Sequence, residues 1–204
     1  MSADTIPLTS RPALAEEDAA RAGYYALLAR LYYVGPDGEL LRRIAGAAGE
    51  ETSELARAWN ALAAAARTAD ARAAAAEYDE IFVGTGKAPV TPYATHYLAE
   101  GGREKALLRL KDELAVMGLG KTASAHEPED HVAALFEVMR HLISEGSDDI
   151  ALQKQRTFFE RYIAPSYPGF CGAVAACDKA RFYKRVTDFA RAFFVVETEV
   201  LKMF

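Results

Sequence analysis

The sequence predicts an all-α protein, a single-domain bundle of about nine helices over residues 1–204, with residues 1–12 flexible. Apolar residues recur at the three- and four-residue spacing of amphipathic helices through almost the whole chain. No segment alternates apolar and polar residues convincingly enough to predict a half-buried strand. With 204 residues, 51% hydrophobic and 26% charged, the chain can bury one sizeable core.

The first helices are predicted from apolar stripes and from the residues that interrupt them. A helix over residues 13–34 ends at the sequence GPDG. A short helix around residues 40–44 follows. The Ala-rich segment 53–82 opens on a Ser53 cap and is predicted to divide into two helices near Asp70.

The helical pattern breaks most clearly over residues 83–102, where glycines and prolines leave room for at most one short helix. Thr91 is predicted to cap that helix, with Pro92 at its first position. The remaining helices are predicted over residues 103–117, along the apolar stripe that begins at Val132, from a Ser147 cap to about residue 163, and as a final pair.

Charge and hydropathy exclude two classes of partner. The net charge is −5, and no dense run of lysine and arginine alternates with aromatic residues, so nucleic-acid binding is not predicted. No window approaches the roughly 18 apolar residues of a membrane span, and the first residues lack the pattern of a secretory signal. We therefore expect a cytoplasmic protein without stable membrane insertion.

The two cysteines, Cys171 and Cys177, are not predicted to form a disulfide bond. Six residues apart on a helix, they point in directions that differ by about 240°. Isolated thiols of this kind suit a reducing cytosol and behave as small apolar side chains.

Three of the four histidines fall in SAHEPEDHVAALFEVMRHL, residues 124–142. A zinc site of the His-Glu-x-x-His type is disfavoured, because His126 and His131 are five residues apart and diverge by about 140° on a helix. Pro128 belongs at a helix start, which places His126 in the preceding loop. The alternative that stays open is an all-α metal-dependent hydrolase that uses the Asp130-His131 pair, although its order is the reverse of the His-Asp type.

The carboxylates of Glu127, Glu129 and Asp130 are expected in the first turn of the following helix. Carboxylates there satisfy free backbone N–H groups and the helix dipole, which accounts for part of the cluster. Three carboxylates are more than capping requires, and His131 beside them can hydrogen-bond or titrate near neutrality.

Three motifs follow one another along the chain: EYDEIFVG at residues 77–84, PVTPYATHY at residues 89–97 and EPEDH at residues 127–131. In this order they resemble motifs of the TorD/DmsD family of redox-enzyme maturation chaperones. EYDEIFVG, residues 77–84, is similar to the family's Glu-x-Tyr-x-x-Leu-Phe signature, with no residue between the Glu and the Tyr and with Ile81 in place of leucine. PVTPYATHY, residues 89–97, is similar to the Pro-Tyr-x-Ser-x-Tyr pattern, with Thr95 at the serine position. EPEDH, residues 127–131, resembles the DmsD-like variant.

The resemblance implies a TorD/DmsD-like helical fold and a chaperone without catalytic activity or a cofactor of its own. Its partners would be the twin-arginine signal peptide and the apo-form of a molybdoenzyme catalytic subunit, or of a tungsten counterpart, held until the cofactor is inserted. The hinge-like residues 84–92 would allow a helix-exchanged dimer as well as a monomer.

Such a peptide joins two arginines to an apolar helical run, so its receptor needs carboxylates beside an apolar groove. Asp130, with Glu127 and Glu129 near it, is expected to receive the arginines. Other residues of the motifs are expected at the groove: Tyr78, Phe82, Pro92, Tyr93, Tyr97 and His131. Three alternatives stay open: Tyr78 and Phe82 as core residues, Pro92 and Tyr93 as the start of a short helix, and His131 as a structural residue that orients Asp130.

Overall fold

The computed structural model describes residues 14–47, 49–84, 86–98, 102–120 and 127–203, and within these ranges it contains nine α-helices and no strand, which confirms the all-α prediction. The segment predicted to be flexible, residues 1–12, lies outside them. The helices are α1 Glu16–Tyr33, α2 Gly38–Ala45, α3 Glu54–Thr68, α4 Ala71–Tyr78, α5 Arg103–Val116, α6 Val132–Glu145, α7 Asp149–Phe158, α8 Tyr167–Ala176 and α9 Phe182–Lys202. Two π-helical turns, Asp79–Val83 and Phe159–Ile163, extend α4 and α7, and a 3₁₀ turn spans Ala94–His96.

Local caps explain where several helices begin. Ser53 caps α3 and Asp70 caps α4, each by accepting the backbone N–H three residues further on, which confirms the predicted Ser53 cap and the predicted division near Asp70. The predicted Ser147 cap of α7 is wrong, because Asp148 occupies that position and accepts the N–H of Ala151 at 2.8 Å. A carboxylate at this position also interacts favourably with the helix dipole, which a hydroxyl does less well.

The core is built around α1, which packs most extensively against α6, while α9 packs against α3 and α8. Aromatic rings fill the space between these helices. The ring of Tyr32 lies 5.1 Å from that of Phe170 and 6.2 Å from that of Phe136, both in edge-to-face arrangements. Each such pair adds about 0.5–1.5 kcal/mol to the stabilisation that comes from burial alone.

A buried charged network joins α1, α7 and α9. The Arg21 guanidinium donates to both carboxylate oxygens of Glu197, at 2.8 and 2.9 Å, and to Asp18 at 2.7 Å. It also donates to Gln155 at 3.0 Å, and the Tyr25 hydroxyl donates to Glu197 at 3.1 Å. Because Glu197 is only 1% exposed, its charge depends on these partners rather than on water.

We expect Arg21→Met to lower the free energy of unfolding by about 3–5 kcal/mol, because it leaves the buried Glu197 carboxylate without its cation. Arg185→Met is the control, since the Arg185–Asp188 pair is about half exposed and should contribute at most about 1 kcal/mol. Urea unfolding of both variants measures the difference, and equal losses would mean that the buried network does not stabilise the fold.

Candidate functional site

Two segments that are far apart in the sequence pair at the site. The N–H of Ala94 donates to the carbonyl oxygen of Asp130 at 2.8 Å, and the N–H of Val132 donates to that of Pro92 at 2.9 Å. Between these bonds, Tyr93 and His131 face each other in an isolated antiparallel bridge. The pairing joins the second of the three sequence motifs to the third.

This pairing corrects the predicted helix at Thr91 and Pro92. The 3₁₀ turn begins only at Ala94, and neither residue caps it. The carbonyl oxygen of Pro92 is used by Val132, and that of Thr91 accepts the Tyr97 hydroxyl at 2.8 Å. These hydrogen bonds hold the two residues outside the 3₁₀ turn.

The start of α6 also differs from the prediction. The helix begins at Val132, and its cap is His131, whose Nδ1 accepts the N–H of Ala133 at 3.2 Å. Residues 127–130, here called the acidic turn, precede the helix, and the N–H of His131 closes the turn by donating to the carbonyl of Pro128 at 3.1 Å. The carboxylates are therefore not consumed as caps in the first turn of α6.

The carboxylates of the acidic turn have different surroundings. Asp130 is only 4% exposed, and its Oδ2 accepts the Thr95 hydroxyl at 2.5 Å. Glu127 is partly exposed and accepts the Tyr93 hydroxyl at 2.9 Å. Both hydrogen bonds run between the second motif and the third, so the paired segments also orient the carboxylates.

A largely apolar groove of about 590 Å³ opens on one side of the acidic turn, between α1, α6 and the end of α5. We call it the α1–α6 groove. Glu127, Glu129 and His131 line it from the acidic turn. Apolar side chains from the helices and from the residues after α5 form its floor and walls, among them Ala29, Tyr33, Leu114, Leu119, Ala134 and Val138.

A second depression, of about 520 Å³, lies beside the 3₁₀ turn and α5. It is lined by Tyr93, Thr95 and Asp130, together with Arg103 and Leu107 of α5 and other residues. Pro128 lines this depression as well as the α1–α6 groove. The acidic turn therefore separates two concave surfaces and presents carboxylates to both.

His131 is buried between two aromatic rings. It is 2% exposed, and its imidazole centroid lies 5.7 Å from that of Tyr93 and 6.3 Å from that of Tyr33. Burial lowers the pKa of His131 below its usual value, against the opposing effect of the nearby Glu127 and Asp130 carboxylates. The neutral ring suits its role as a hydrogen-bond acceptor at the start of α6. His126, predicted to lie in the loop before this helix, is outside the described residues.

Tyr78 and Phe82 lie in the core. The sequence had left open whether they line the groove or belong to the core. Tyr78 is 7% exposed and Phe82 is 5% exposed. The Tyr78 hydroxyl donates to the carbonyl oxygen of Tyr33 at 2.7 Å, and the Phe82 ring packs 5.8 Å from that of Tyr32. Both residues pack against the end of α1, and neither is among the described residues that line the α1–α6 groove.

Tyr97 anchors the second motif on α8. Its ring lies 5.9 Å from that of Phe170 and so close to Gly169 that a Cβ added there would fall 2.9 Å from the Tyr97 Cδ1 atom. Glycine at position 169 is therefore needed for this close approach. Tyr97 fixes the position of the 3₁₀ turn and lies outside the described lining of both concave surfaces.

Sequence reasoning missed the role of Glu77. Its Oε1 accepts the N–H groups of Arg181 and Tyr183 at 2.8 Å each, and its Oε2 accepts that of Phe182 at 3.1 Å. The carboxylate thus caps α9, which has no side-chain cap of its own. The lack of a Ser, Thr, Asp or Asn just before this long apolar helix is a signal that a distant residue supplies the cap.

Comparison with known proteins identifies the family to which this chain belongs. A family model described as nitrate reductase delta subunit matches residues 49–172, more than half of the chain and a span that includes all three. This chain belongs to that family. A curated relative named chaperone protein TorD, from Shewanella amazonensis, is 27% identical over 93% of this chain and 95% of its own length.

Proteins with the same name from Aliivibrio fischeri and Vibrio cholerae are 27% and 26% identical, over 74% and 88% of this chain and 77% and 81% of their own lengths. The predicted membership of the TorD/DmsD family is confirmed. Within the described ranges, no helix is long and apolar enough to cross a membrane. In the same part of the chain, no three His, Cys, Asp or Glu residues are grouped so that they could hold a metal ion.

We expect Glu77→Ala to lower the free energy of unfolding by about 1–3 kcal/mol, because it removes the acceptor for three N–H groups at the start of α9. Glu80→Ala is the matched control, since Glu80 lies on the adjoining π-helical turn and forms only an exposed pair with Lys179. Urea unfolding compares the two. A loss no larger than that of the control would show that the cap is dispensable.

The lowered pKa of His131 predicts a pH-dependent stability. Below about pH 6.5 the unfolded chain binds a proton at His131 that the folded chain does not, so the free energy of unfolding falls as the pH falls. His131→Asn keeps a side-chain acceptor for Ala133 and removes this titration. Between pH 7.5 and pH 5, we therefore expect the variant to lose less stability than the wild type.

The measurement is urea unfolding at the two pH values, with His96→Asn as the control at an exposed histidine of the neighbouring 3₁₀ turn. Comparison of pH-dependent changes, rather than of absolute stabilities, cancels any packing loss from the smaller side chain. A wild-type change that matches that of His131→Asn would contradict the expected titration.

Proposed function

We propose that the protein is a cytoplasmic chaperone that binds the twin-arginine signal peptide of a molybdenum- or tungsten-cofactor oxidoreductase. It would hold the apo-form of the catalytic subunit and assist its maturation before export. The observation that carries this proposal is the acidic turn at the edge of the α1–α6 groove. Family membership and the relatives named chaperone protein TorD support the same class of function.

The α1–α6 groove suits the apolar part of such a peptide. An amphipathic helix binds by laying its apolar side chains into a hydrophobic groove, and the walls here are largely apolar. The cations at its rim already have acidic partners: Arg30 donates to Asp37 at 3.1 Å, and Arg140 donates to Glu137 at 2.8 Å. These contacts reduce the repulsion that an incoming arginine would meet.

The acidic turn suits the two arginines. Glu127 and Glu129 line the groove and Asp130 lines the second depression, so neighbouring arginine side chains find carboxylates in two directions. Adjacent side chains of an extended peptide point to opposite sides, which matches this arrangement. Each charge-assisted hydrogen bond between a guanidinium and a carboxylate contributes about 1.5–3 kcal/mol.

The alternative of a metal-dependent hydrolase at Asp130 and His131 has less support from the geometry. The His131 Nδ1 atom already accepts a backbone N–H, and the Asp130 carboxylate accepts the Thr95 hydroxyl. These hydrogen bonds give both residues roles in positioning the turn. Metal analysis of the purified protein separates the two functions, because a stoichiometric bound metal would favour the hydrolase.

We expect Asp130→Asn to weaken binding of a twin-arginine signal peptide by about one to two orders of magnitude. The asparagine can still accept the Thr95 hydroxyl, so the fold survives while the negative charge is lost. Binding should also depend less on salt concentration. The measurement is calorimetric titration of the peptide at two salt concentrations, with thermal melts of each protein.

Asp178→Asn is the matched control, since it makes the same chemical change at an exposed aspartate that lines neither concave surface. A peptide with two lysines in place of the arginines tests whether guanidinium geometry matters. If Asp130→Asn binds like the wild type but melts substantially lower, Asp130 is a structural residue and the arginine site lies elsewhere.

A further inference from the structure

Lys111 of α5 already contacts the acidic turn. Its Nζ lies 3.6 Å from Oε2 of Glu129, and the two side chains are 48% and 20% exposed. The Lys111 ammonium therefore contacts the same groove-lining carboxylate that, in the proposed function, binds an arginine of the signal peptide. Neither the sequence motifs nor their spacing indicated this lysine.

We propose that Lys111 is the resident counter-cation of the acidic turn and that an arginine of the incoming peptide must displace it. This inference rests on the proposed function, because it names what competes for the same carboxylate. A ligand cation therefore gains affinity from Glu129 only if it binds this carboxylate more strongly than Lys111 does.

The geometry makes this exchange favourable for arginine. The separation of 3.6 Å is longer than the 2.7–3.2 Å of a good N–H···O hydrogen bond, so the Lys111–Glu129 contact is loose. An exposed pair of this kind changes an equilibrium constant by a factor of at most about five. A guanidinium can instead form two parallel hydrogen bonds with the carboxylate. A peptide lysine would only replace the Lys111 ammonium with another ammonium, so the affinity of the peptide would increase little.

Displacement of Lys111 also affects α5. This helix lines the α1–α6 groove through Leu114 and the second depression through Arg103 and Leu107. Lys111 ties it to the turn that lies between these two surfaces. Release of the lysine therefore loosens one wall of both surfaces at the moment when an arginine binds.

Two variants test the competition. Lys111→Met should tighten binding of a twin-arginine peptide about two- to fivefold, because the competitor is gone. Lys111→Arg should weaken binding by a similar factor, although it leaves the net charge unchanged, because a guanidinium holds Glu129 better than an ammonium does. General electrostatic attraction alone predicts no effect of Lys111→Arg.

Lys154→Met is the matched control. It also removes one positive charge and breaks a loose, exposed Lys–Glu pair, in which Lys154 Nζ lies 3.8 Å from Glu145. Lys154 is not among the residues that line either concave surface. Its peptide affinity should stay within about twofold of that of the wild type, as expected for an exposed charge that does not contact the acidic turn.

Amide hydrogen exchange of α5 without peptide provides the independent measurement. Lys111→Met should exchange faster across α5 than Lys154→Met, because α5 has lost its tie to the acidic turn. If the wild type binds the peptide but the Lys111 variants bind equally well, the competitor role is overturned and the proposed function stands.

If the wild type does not bind the peptide, the proposed function is overturned, and the exchange data alone decide whether Lys111 is the resident cation. Equal exchange of α5 in Lys111→Met and Lys154→Met would then overturn that role as well. Faster exchange in Lys111→Met alone would retain it.

Discussion

Two peptide hydrogen bonds, from Ala94 to Asp130 and from Val132 to Pro92, hold the site together. They place the Tyr93 hydroxyl beside Glu127 and the Thr95 hydroxyl beside Asp130, so that backbone pairing sets the orientation of the side chains. They also supply an acceptor for the first N–H of α6, and the His131 ring supplies another. Because the N–H groups at the start of α6 are paired in this way, the neighbouring carboxylates are not needed as caps of that helix.

The residues of the acidic turn and His131 differ in burial and in their hydrogen-bond partners. His131 is neutral, buried and committed to the start of α6, while Asp130 is buried beside Thr95. Glu129 lies nearer the solvent and has only a loose contact with Lys111. Under the proposed function, a ligand that approached from the groove would meet carboxylates whose positions are fixed by different neighbours, which is a preorganised surface for its charge.

The features that the sequence predicted correctly depend on nearby residues. The helical periodicity, the Ser53 cap and the division of the Ala-rich segment at Asp70 need only a few positions to be recognised. Glu77 and Lys111 could not be assigned in this way, because their partners lie far along the chain and are brought near by the fold. The first motif indicated the family, but the hydrogen bonds and burial of its residues place Glu77 at the cap of α9 and Tyr78 and Phe82 in the core.

The partners of α9 bear on how the chain folds. Glu77 accepts N–H groups about a hundred positions further along, and Glu197 in the same helix pairs with Arg21, 176 positions away. The paired residues are far apart in the sequence. The chain between them must therefore lose conformational entropy before these contacts can form. During synthesis, the buried faces of the earlier helices stay uncovered until this helix emerges. A protein proposed to protect the immature form of another chain therefore passes through an exposed, unfinished state of its own.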